Sequence, residues 1–373
     1  MKLRIGVIFG GRSGEHAISI RSAQTVIEQA DAEKYQLVPL AITPEGNWLS
    51  PADSLDLFND ETVDHFRKHF GEPSAVVTND TAESRLSGVP ALLAAELIDI
   101  AFPVLHGTFG EDGTIQGLLE MADLPYIGCG VLASSCGMDK VVMKTLFREA
   151  GLPICEYVWF LRSEFESDRD KVLTLIESKI GFPCFVKPAN LGSSVGVSRA
   201  NDALALHNAI VEAAKYDRKI IVEEGLDMRE IECAVMGNDR PAASEPGEYL
   251  IRDDTKAFLD YTEKYSGTGN NEFVVPSPIS TELTVKIKQL AVDSFKAIDG
   301  SGLARVDFFL RKDNGSLLVN EINTMPGLTS ASGFPKMWAA TGKPFSAVID
   351  ELVELGLERF KDKQRNSYFF GES

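Results

Sequence analysis

Residues 303–323 read LARVDFFLRKDNGSLLVNEIN. Two apolar stretches, Leu303–Leu310 and Leu317–Asn323, flank Lys312-Asp313-Asn314-Gly315-Ser316, the pattern of two β-strands joined as a hairpin. Side chains alternate along a strand, so Arg305 shares a face with Asp307, and Glu321 shares one with Asn323. The register decides what these faces can do. A two-residue Asn314-Gly315 loop pairs Asp307 with Ile322 and separates the carboxylates. A three-residue loop with Gly315 left-handed pairs Asp307 with Glu321 and Arg305 with Asn323. Carboxylates directly opposite repel each other, and a divalent cation between them removes that penalty. Oxygen ligands of this kind suit Mg²⁺ bridging the phosphates of a nucleotide. The expectation is a three- or five-residue loop. The plain alternative is a charged strand face turned to solvent.

Upstream, Lys187-Pro188-Ala189-Asn190-Leu191-Gly192-Ser193-Ser194-Val195-Gly196-Val197 lies between strand-like stretches at Phe182–Lys187 and Lys219–Glu224. Small residues let the backbone approach a phosphate, and a lysine ending the strand adds a point charge. An ordinary Gly-Ser turn is the competing reading. Nearer the N-terminus, Leu3–Phe9, a glycine turn, a helix near Ser19–Gln29 and a strand at Tyr35–Ile42 open an α/β fold. The glycine turn has Arg12 where a dinucleotide fingerprint needs its second glycine, and no Walker A loop occurs anywhere. Leu97–Leu105 reads as a strand running into His106-Gly107, followed by helices at Thr114–Ala122 and Asp139–Ala150. By itself His106 is more often structural than catalytic. Residues 51–90 are polar and acidic and read as a surface segment. Residues 244–280 are rich in Gly, Pro and Asn and read as a long binding loop or lid. Helical patterns close the chain at Glu282–Ile298 and Ser346–Arg359.

The 373 residues are long enough for two or three domains. With 37 basic and 55 acidic side chains, the net charge of −18 argues against a general nucleic-acid binder. An anionic ligand must therefore meet a local positive cluster. The five cysteines form no Cys-x-x-Cys pair or zinc spacing and read as buried thiols of a reducing compartment. No apolar run approaches a membrane span, and the N-terminal run reads as a strand rather than a signal peptide, so a cytoplasmic protein with no membrane partner is expected.

Taken in order, the motifs resemble those of the D-alanine–D-alanine ligase family, ATP-grasp enzymes of bacterial cell-wall synthesis. They are Gly10-Gly11 with Ser13-Gly14-Glu15-His16, His106-Gly107 through Glu120, Met138-Asp139-Lys140, Lys187-Pro188 with Gly192–Gly196, Asp260-Tyr261 with Lys264-Tyr265, Arg305-Val306-Asp307, and Asn320–Gly327. The resemblance runs from about residue 3 to 360. It implies a mixed α/β, three-domain ATP-grasp architecture with the nucleotide between the sheets of the central and C-terminal domains. The implied boundaries are 1–128, 129–224 and 225–373, with a lid at about 245–278. It also implies ligation of two D-alanines through D-alanyl phosphate for peptidoglycan precursors, with ATP and two Mg²⁺ ions (Mn²⁺ as a substitute), in a homodimer.

Residue by residue, the resemblance implies that Lys140 and Lys187 contact ATP phosphates and that Glu223 and Glu230 hold adenosine. Asp307, Glu321 and Asn323 become ligands of the Mg²⁺ ions. Glu15 meets the first D-alanine's ammonium with His106 nearby, and Ser193 and Tyr265 hydrogen-bond with Glu15. Lys264 sits by the γ-phosphate and Ser332 by the second D-alanine's carboxylate. Arg305 and the Gly327 N–H form an oxyanion hole. Three positions depart from the family pattern: Ala17 where a second acid follows Glu15, a longer lid at Ser266–Asn271, and Gly333 in place of a larger side chain. They bear on first-site packing and on second-substrate choice. A ligase using D-lactate or D-serine, or an inactive nucleotide-binding relative, are the alternatives. Tyr265 after Lys264 favours an amine acceptor, and the intact lysine, arginine and acid set favours activity.

Overall fold

The computed structural model describes residues 1–73, 97–192, 195–251 and 271–367. Ser193, Lys264 and Tyr265, and nearly all of the expected lid insertion, lie outside the described residues.

The chain opens with β1 (Leu3–Gly10), α1 (His16–Gln29), β2 (Tyr35–Ile42), α2 (Pro51–Leu55), α3 (Asp60–Phe70), β3 (Ile100–Pro103) and α4 (Thr114–Met121). The three strands form a parallel sheet in the order β2-β1-β3. From Ile5 to Gly10 β1 is buried without interruption, as a strand covered on both faces requires, which explains its unbroken apolar run.

Next come α5 (Val131–Met138), α6 (Lys140–Glu149), β4 (Tyr157–Leu161), α7 (Arg162–Ser167), α8 (Arg169–Lys179), β5 (Cys184–Pro188), β6 (Ser198–Ala200), α9 (Ala203–Ala213) and β7 (Lys219–Glu224). Their strands form an antiparallel sheet, β4-β7-β5-β6. Val172 and Ile176 of α8 and Leu206 and Ile210 of α9 pack on Val186, Ile220 and Val222. These two helices cover one face of the sheet, and on the other face Val141 of α6 packs with Ala189 and Ile221.

The last group is β8 (Met228–Gly237), β9 (Ala242–Ala243), β10 (Gly247–Ile251), β11 (Asn271–Val274), α10 (Thr281–Ala297), β12 (Gly302–Arg311), β13 (Leu317–Asn323), α11 (Gly333–Ala340) and α12 (Phe345–Lys363). Its sheet runs β11-β10-β8-β12-β13, with β9 beside β8. Ile287, Ala291 and Phe295 of α10 and Met143 and Phe147 of α6 share a core with Val306, Phe308 and Val319. A further core joins the first sheet to this one, with Val7 and Phe102 in one cluster with Met236, Trp338 and Leu352.

Two expectations change here. Residues 51–73 are not a loose surface segment but carry α2 and α3. Ser50 Oγ accepts from the Asp53 N–H, Pro51 fills the first helical position, and Asn59 Oδ1 accepts from the Thr62 N–H. Leu55, Phe58, Phe66 and Phe70 are buried. The apolar positions are sparse among charges, so capping rather than periodicity was the readable signal. The stretch 244–280 is also more regular than a loop, because β10 and β11 pair antiparallel through Glu248↔Val274 and Ile251↔Asn271.

Candidate active site

The hairpin of β12 and β13 places Asp307 opposite Glu321 and Arg305 opposite Asn323. Five residues, 312–316, separate the strands, and Gly315 is left-handed at φ 69°. The loop does not set this register alone. Next to the turn Leu310 pairs with Leu317 and Phe308 with Val319, one residue out of step with the Asp307 pair. An irregularity between Asp307 and Phe308 absorbs the extra residue, a bulge that re-aims side chains beside a site. On the other side of β12, Glu232 of β8 is opposite Asp307. Three carboxylates therefore form a row across three strands.

Arg305 offsets part of this charge. Its Nε and Nη2 donate to the two oxygens of Asp307 at 2.6 and 2.7 Å, and its Nε lies 3.4 Å from Glu232 Oε2. The bidentate contact fixes the guanidinium plane. Asn323 Nδ2 donates to Asp307 Oδ2 at 3.1 Å. Two carboxylates and an amide oxygen are a hard donor set, the chemistry that fits Mg²⁺. Among the described residues no group of three or more His, Cys, Asp and Glu is arranged as a metal cage. An open set of this sort matches Mg²⁺, which keeps waters and takes further ligands from substrate phosphates.

Facing this row are lysines of the four-stranded sheet and of α6. Asp139 caps α6 by accepting from the N–H groups of Val141 and Val142, and its other oxygen is held by Lys219 and Asn190. This fixes the first helical residue, Lys140, whose Nζ donates to the Leu191 carbonyl at 2.6 Å. Burial lowers the Lys140 pKa, Glu321 opposes that drop, and nearby Lys187 adds to it, so the net shift is downward. Lys187 is also buried, but Glu223 outweighs burial and raises it. Its Nζ donates to Glu223 Oε2 at 2.7 Å, and Lys144 Nζ lies 3.1 Å from Glu223 Oε1. Burial alone raises a carboxyl pKa, yet the two lysines hold Glu223 at about 2.

Glu15 stands at the start of α1. Its backbone N–H donates to Ser13 Oγ at 3.0 Å. Gly107 has φ 73°, and a Cβ there would lie 2.6 Å from Glu15 Oε2, so only glycine fits against this carboxylate. His106 is 3% exposed. Its Nδ1 donates to the Met325 carbonyl at 3.0 Å, its Nε2 is 2.9 Å from Ser22 Oγ, and Glu111 Oε1 is 3.6 Å away. Burial opposes protonation, but Glu111 and then Glu15 outweigh it and raise the imidazole pKa. Ser22 Oγ also accepts from the Leu328 N–H at 3.3 Å. Thus α1, His106 and the 325–328 loop form one hydrogen-bonded unit around Gly327.

These groups border two adjoining chambers. One is lined by Glu15, His106, Lys140, Arg305, Glu321 and Gly327 among others. The second lies between the two antiparallel sheets, with Lys187, Glu230, Asp307 and Phe308 in its wall. Lys140, Leu191, Gly192 and Glu321 belong to both. Most expected site residues thus converge. Two do not reach a chamber wall. Glu223 is 2% exposed behind Lys187. Ser332 sits at the N-cap position of α11 with no side-chain capping bond, its Oγ 2.7 Å from Thr329 Oγ1. Ala17 is exposed on the outer side of α1, away from the first chamber. Gly333 is packed so closely that a Cβ would lie 2.6 Å from Glu232 Oε2.

Ser22, Glu111, Lys144 and Glu232 belong to the site without having been singled out in the sequence. Lys144 carried one legible signal, a charge on the same helix face as buried Val141 and Phe147.

A chamber between two antiparallel sheets, lysines on one and paired acids on the other, defines the ATP-grasp class of fold. The C-terminal family model described as D-ala D-ala ligase C-terminus matches residues 146–354, and the one described as D-ala D-ala ligase N-terminus matches residues 4–129. A D-alanine–D-alanine ligase from Heliobacterium modesticaldum is 44% identical over 370 residues, covering 98% of both chains. Another from Geobacillus thermodenitrificans is 45% identical over 370 residues, covering 99% of this chain and 100% of the relative. Among solved structures, the D-alanine-D-alanine ligase from Coxiella burnetii is 34% identical with a TM-score of 0.78, over 98% of this chain and 96% of that one. The VanG D-Ala:D-Ser ligase from Enterococcus faecalis is 33% identical with a TM-score of 0.76, over 95% of this chain and 100% of that one. The chain belongs to the D-alanine–D-alanine ligase family.

Proposed function

We propose that this cleft joins two D-alanines into D-alanyl-D-alanine while ATP is converted to ADP and phosphate. The observation that carries the reading is the shared wall of the two chambers. Lys140 and Glu321 border both the lysine-and-acid chamber and the one holding Glu15, Arg305 and Gly327. A phosphoryl donor and a carboxylate acceptor can therefore meet there.

A carboxylate is a poor electrophile because its leaving group is oxide. Glu15 holds the ammonium of the first D-alanine, and one oxygen of that substrate's carboxylate attacks the γ-phosphorus. The bond from phosphorus to ADP breaks, and D-alanyl phosphate forms. Lys140 and Lys187 offset the charge on the phosphoryl oxygens. Asp307, Glu321 and Asn323 would hold Mg²⁺, which when bound would neutralise further phosphate charge. Glu230 faces the ribose or base. The amine of the second D-alanine then attacks the acyl carbon. Arg305 and the Gly327 N–H stabilise the oxyanion, an effect worth about 3–4 kcal/mol per donor in other enzymes. The C–O bond to phosphate breaks, and the proton lost by the amine leaves with the phosphate. Ser332 receives the second carboxylate at the N-terminus of α11, where backbone N–H groups favour an anion. Residues 1–128, 129–224 and 225–373 act as three domains, and the enzyme is a cytoplasmic homodimer. No helix among the described residues is long and apolar enough to cross a membrane.

The test is ADP release with ATP and Mg²⁺ on D-alanine, L-alanine, or D-alanine with D-lactate or D-serine, with products identified by mass. The reading expects D-alanyl-D-alanine from D-alanine and nothing from L-alanine. ADP release without that dipeptide would reassign the second substrate, and no release in any mixture would overturn the reading.

A further inference from the structure

One buried cation beside the cleft is used by none of these steps. Lys144 lies one turn beyond Lys140 on α6, and its side chain is 1% exposed. Its Nζ is 3.1 Å from Glu223 Oε1 on β7, 3.2 Å from the Asn320 carbonyl on β13, and 3.4 Å from Cys155 Sγ. It therefore ties together the two sheets that enclose the nucleotide chamber. The other oxygen of Glu223 accepts from Lys187 at 2.7 Å. One carboxylate is shared by two ammonium groups, so the trio of two positive groups and one negative carries a net charge of +1. Of the three, only Lys187 reaches the chamber wall.

A lysine paired one-to-one with a buried carboxylate presents almost no net field, because the two charges cancel at short range. We propose that Lys144 is a positioning residue: it occupies Glu223 from behind, so that Lys187 faces the chamber with a positive charge left over for the polyphosphate of a nucleoside di- or triphosphate. This rests on reading the chamber as a nucleotide site. It gives Glu223 a role through Lys187 in place of the adenosine contact that the family resemblance implies. Two features support it. Glu223 is ionised and lies between both lysines, with its pKa held at about 2 against the effect of burial. Lys144 is also fixed by a backbone carbonyl of the opposite sheet, so it does not swing into the chamber to bind phosphate itself.

The experiment measures ADP and adenosine binding to the full chain by calorimetry, for wild type, Lys144→Met, and the double variant Lys144→Met/Glu223→Gln. With Lys144 gone, Glu223 cancels Lys187. ADP affinity should fall at least tenfold while adenosine affinity changes less than threefold. The double variant removes the cancelling carboxylate as well, and its ADP affinity should return to within about threefold of wild type. It also leaves no unpaired buried carboxylate, so it carries the test if the single variant does not fold. Equal losses for ADP and adenosine, an unchanged ADP affinity in Lys144→Met, or a double variant that folds and binds ADP no better than tenfold below wild type would each overturn the proposal. Wild-type protein that binds no ADP would instead overturn the nucleotide reading on which it rests.

Discussion

Replacing Ser22 by alanine removes one oxygen from a fully buried position on α1. That oxygen has two partners, His106 Nε2 at 2.9 Å and the Leu328 N–H at 3.3 Å. Both are buried and lose their partner in the variant. An orphaned buried polar group costs about 1–3 kcal/mol, so the pair should cost about 2–6 kcal/mol of stability. The catalytic effect follows from what the contact holds. Leu328 directly follows Gly327, and the His106 ring that Ser22 fixes also holds the Met325 carbonyl. Deleting an oxyanion donor outright costs about 10²–10³ in kcat. Loosening the loop that carries one should cost about tenfold, or ~1.4 kcal/mol. KM for ATP should stay within about twofold, because Ser22 touches neither Lys140 nor Lys187. The assay is steady-state ADP release at saturating ATP with varied D-alanine, beside a urea titration. Wild-type kcat in a variant that is destabilised as expected would show that the hydroxyl does not hold the loop. A loss confined to KM for ATP would put its effect elsewhere.

Glu321→Gln should lower ATP turnover by at least about 10³-fold with unchanged circular dichroism, because it removes a carboxylate charge from the proposed Mg²⁺ site. Chelating divalent cations from the wild type should do the same, with activity restored by Mg²⁺ or Mn²⁺. Gly302→Ala should destabilise the protein by at least about 1–3 kcal/mol in urea. Residue 302 has φ 71°, and its Cβ would lie 2.9 Å from the Gly128 Cα, backbone that cannot turn aside. Glu223 has a pKa of about 2 against an ordinary 4.5. Its contribution, about 3 kcal/mol by linkage, is fully present above pH 4.5 and is lost as the pH falls through 2. Wild-type stability in urea should therefore drop more steeply between pH 5 and 2.5 than that of Glu223→Gln; parallel slopes would refute the assignment.

The strand pair carrying Arg305, Asp307, Glu321 and Asn323 was readable because alternation and a Gly-containing turn are local signals. Even there, the pairing is reached through a bulge at Asp307 and Phe308 that no composition rule marks. The helices of residues 51–73 were missed because their apolar residues are few, and the core they cover lies on other elements. The sequence resemblance placed Lys140, Lys187 and Glu15 at the cleft, but not the groups behind them. Ser22 acquires its meaning from residues 84 and 306 positions away. Lys144 acquires its meaning from Glu223 and Asn320, on two different sheets. A charge that reads as an ordinary helix residue becomes part of a site only when folding brings its partners to it.

In the proposed reaction the first substrate's carboxylate is activated as an acyl phosphate in this cleft. The most direct measurement uses D-alanine with both carboxylate oxygens replaced by ¹⁸O, and follows the label into inorganic phosphate by mass or by ³¹P shift. Attack of a carboxylate oxygen on the γ-phosphorus, followed by cleavage of the acyl C–O bond, carries one ¹⁸O into phosphate for each dipeptide formed. Dipeptide accompanied by unlabelled phosphate would contradict the account.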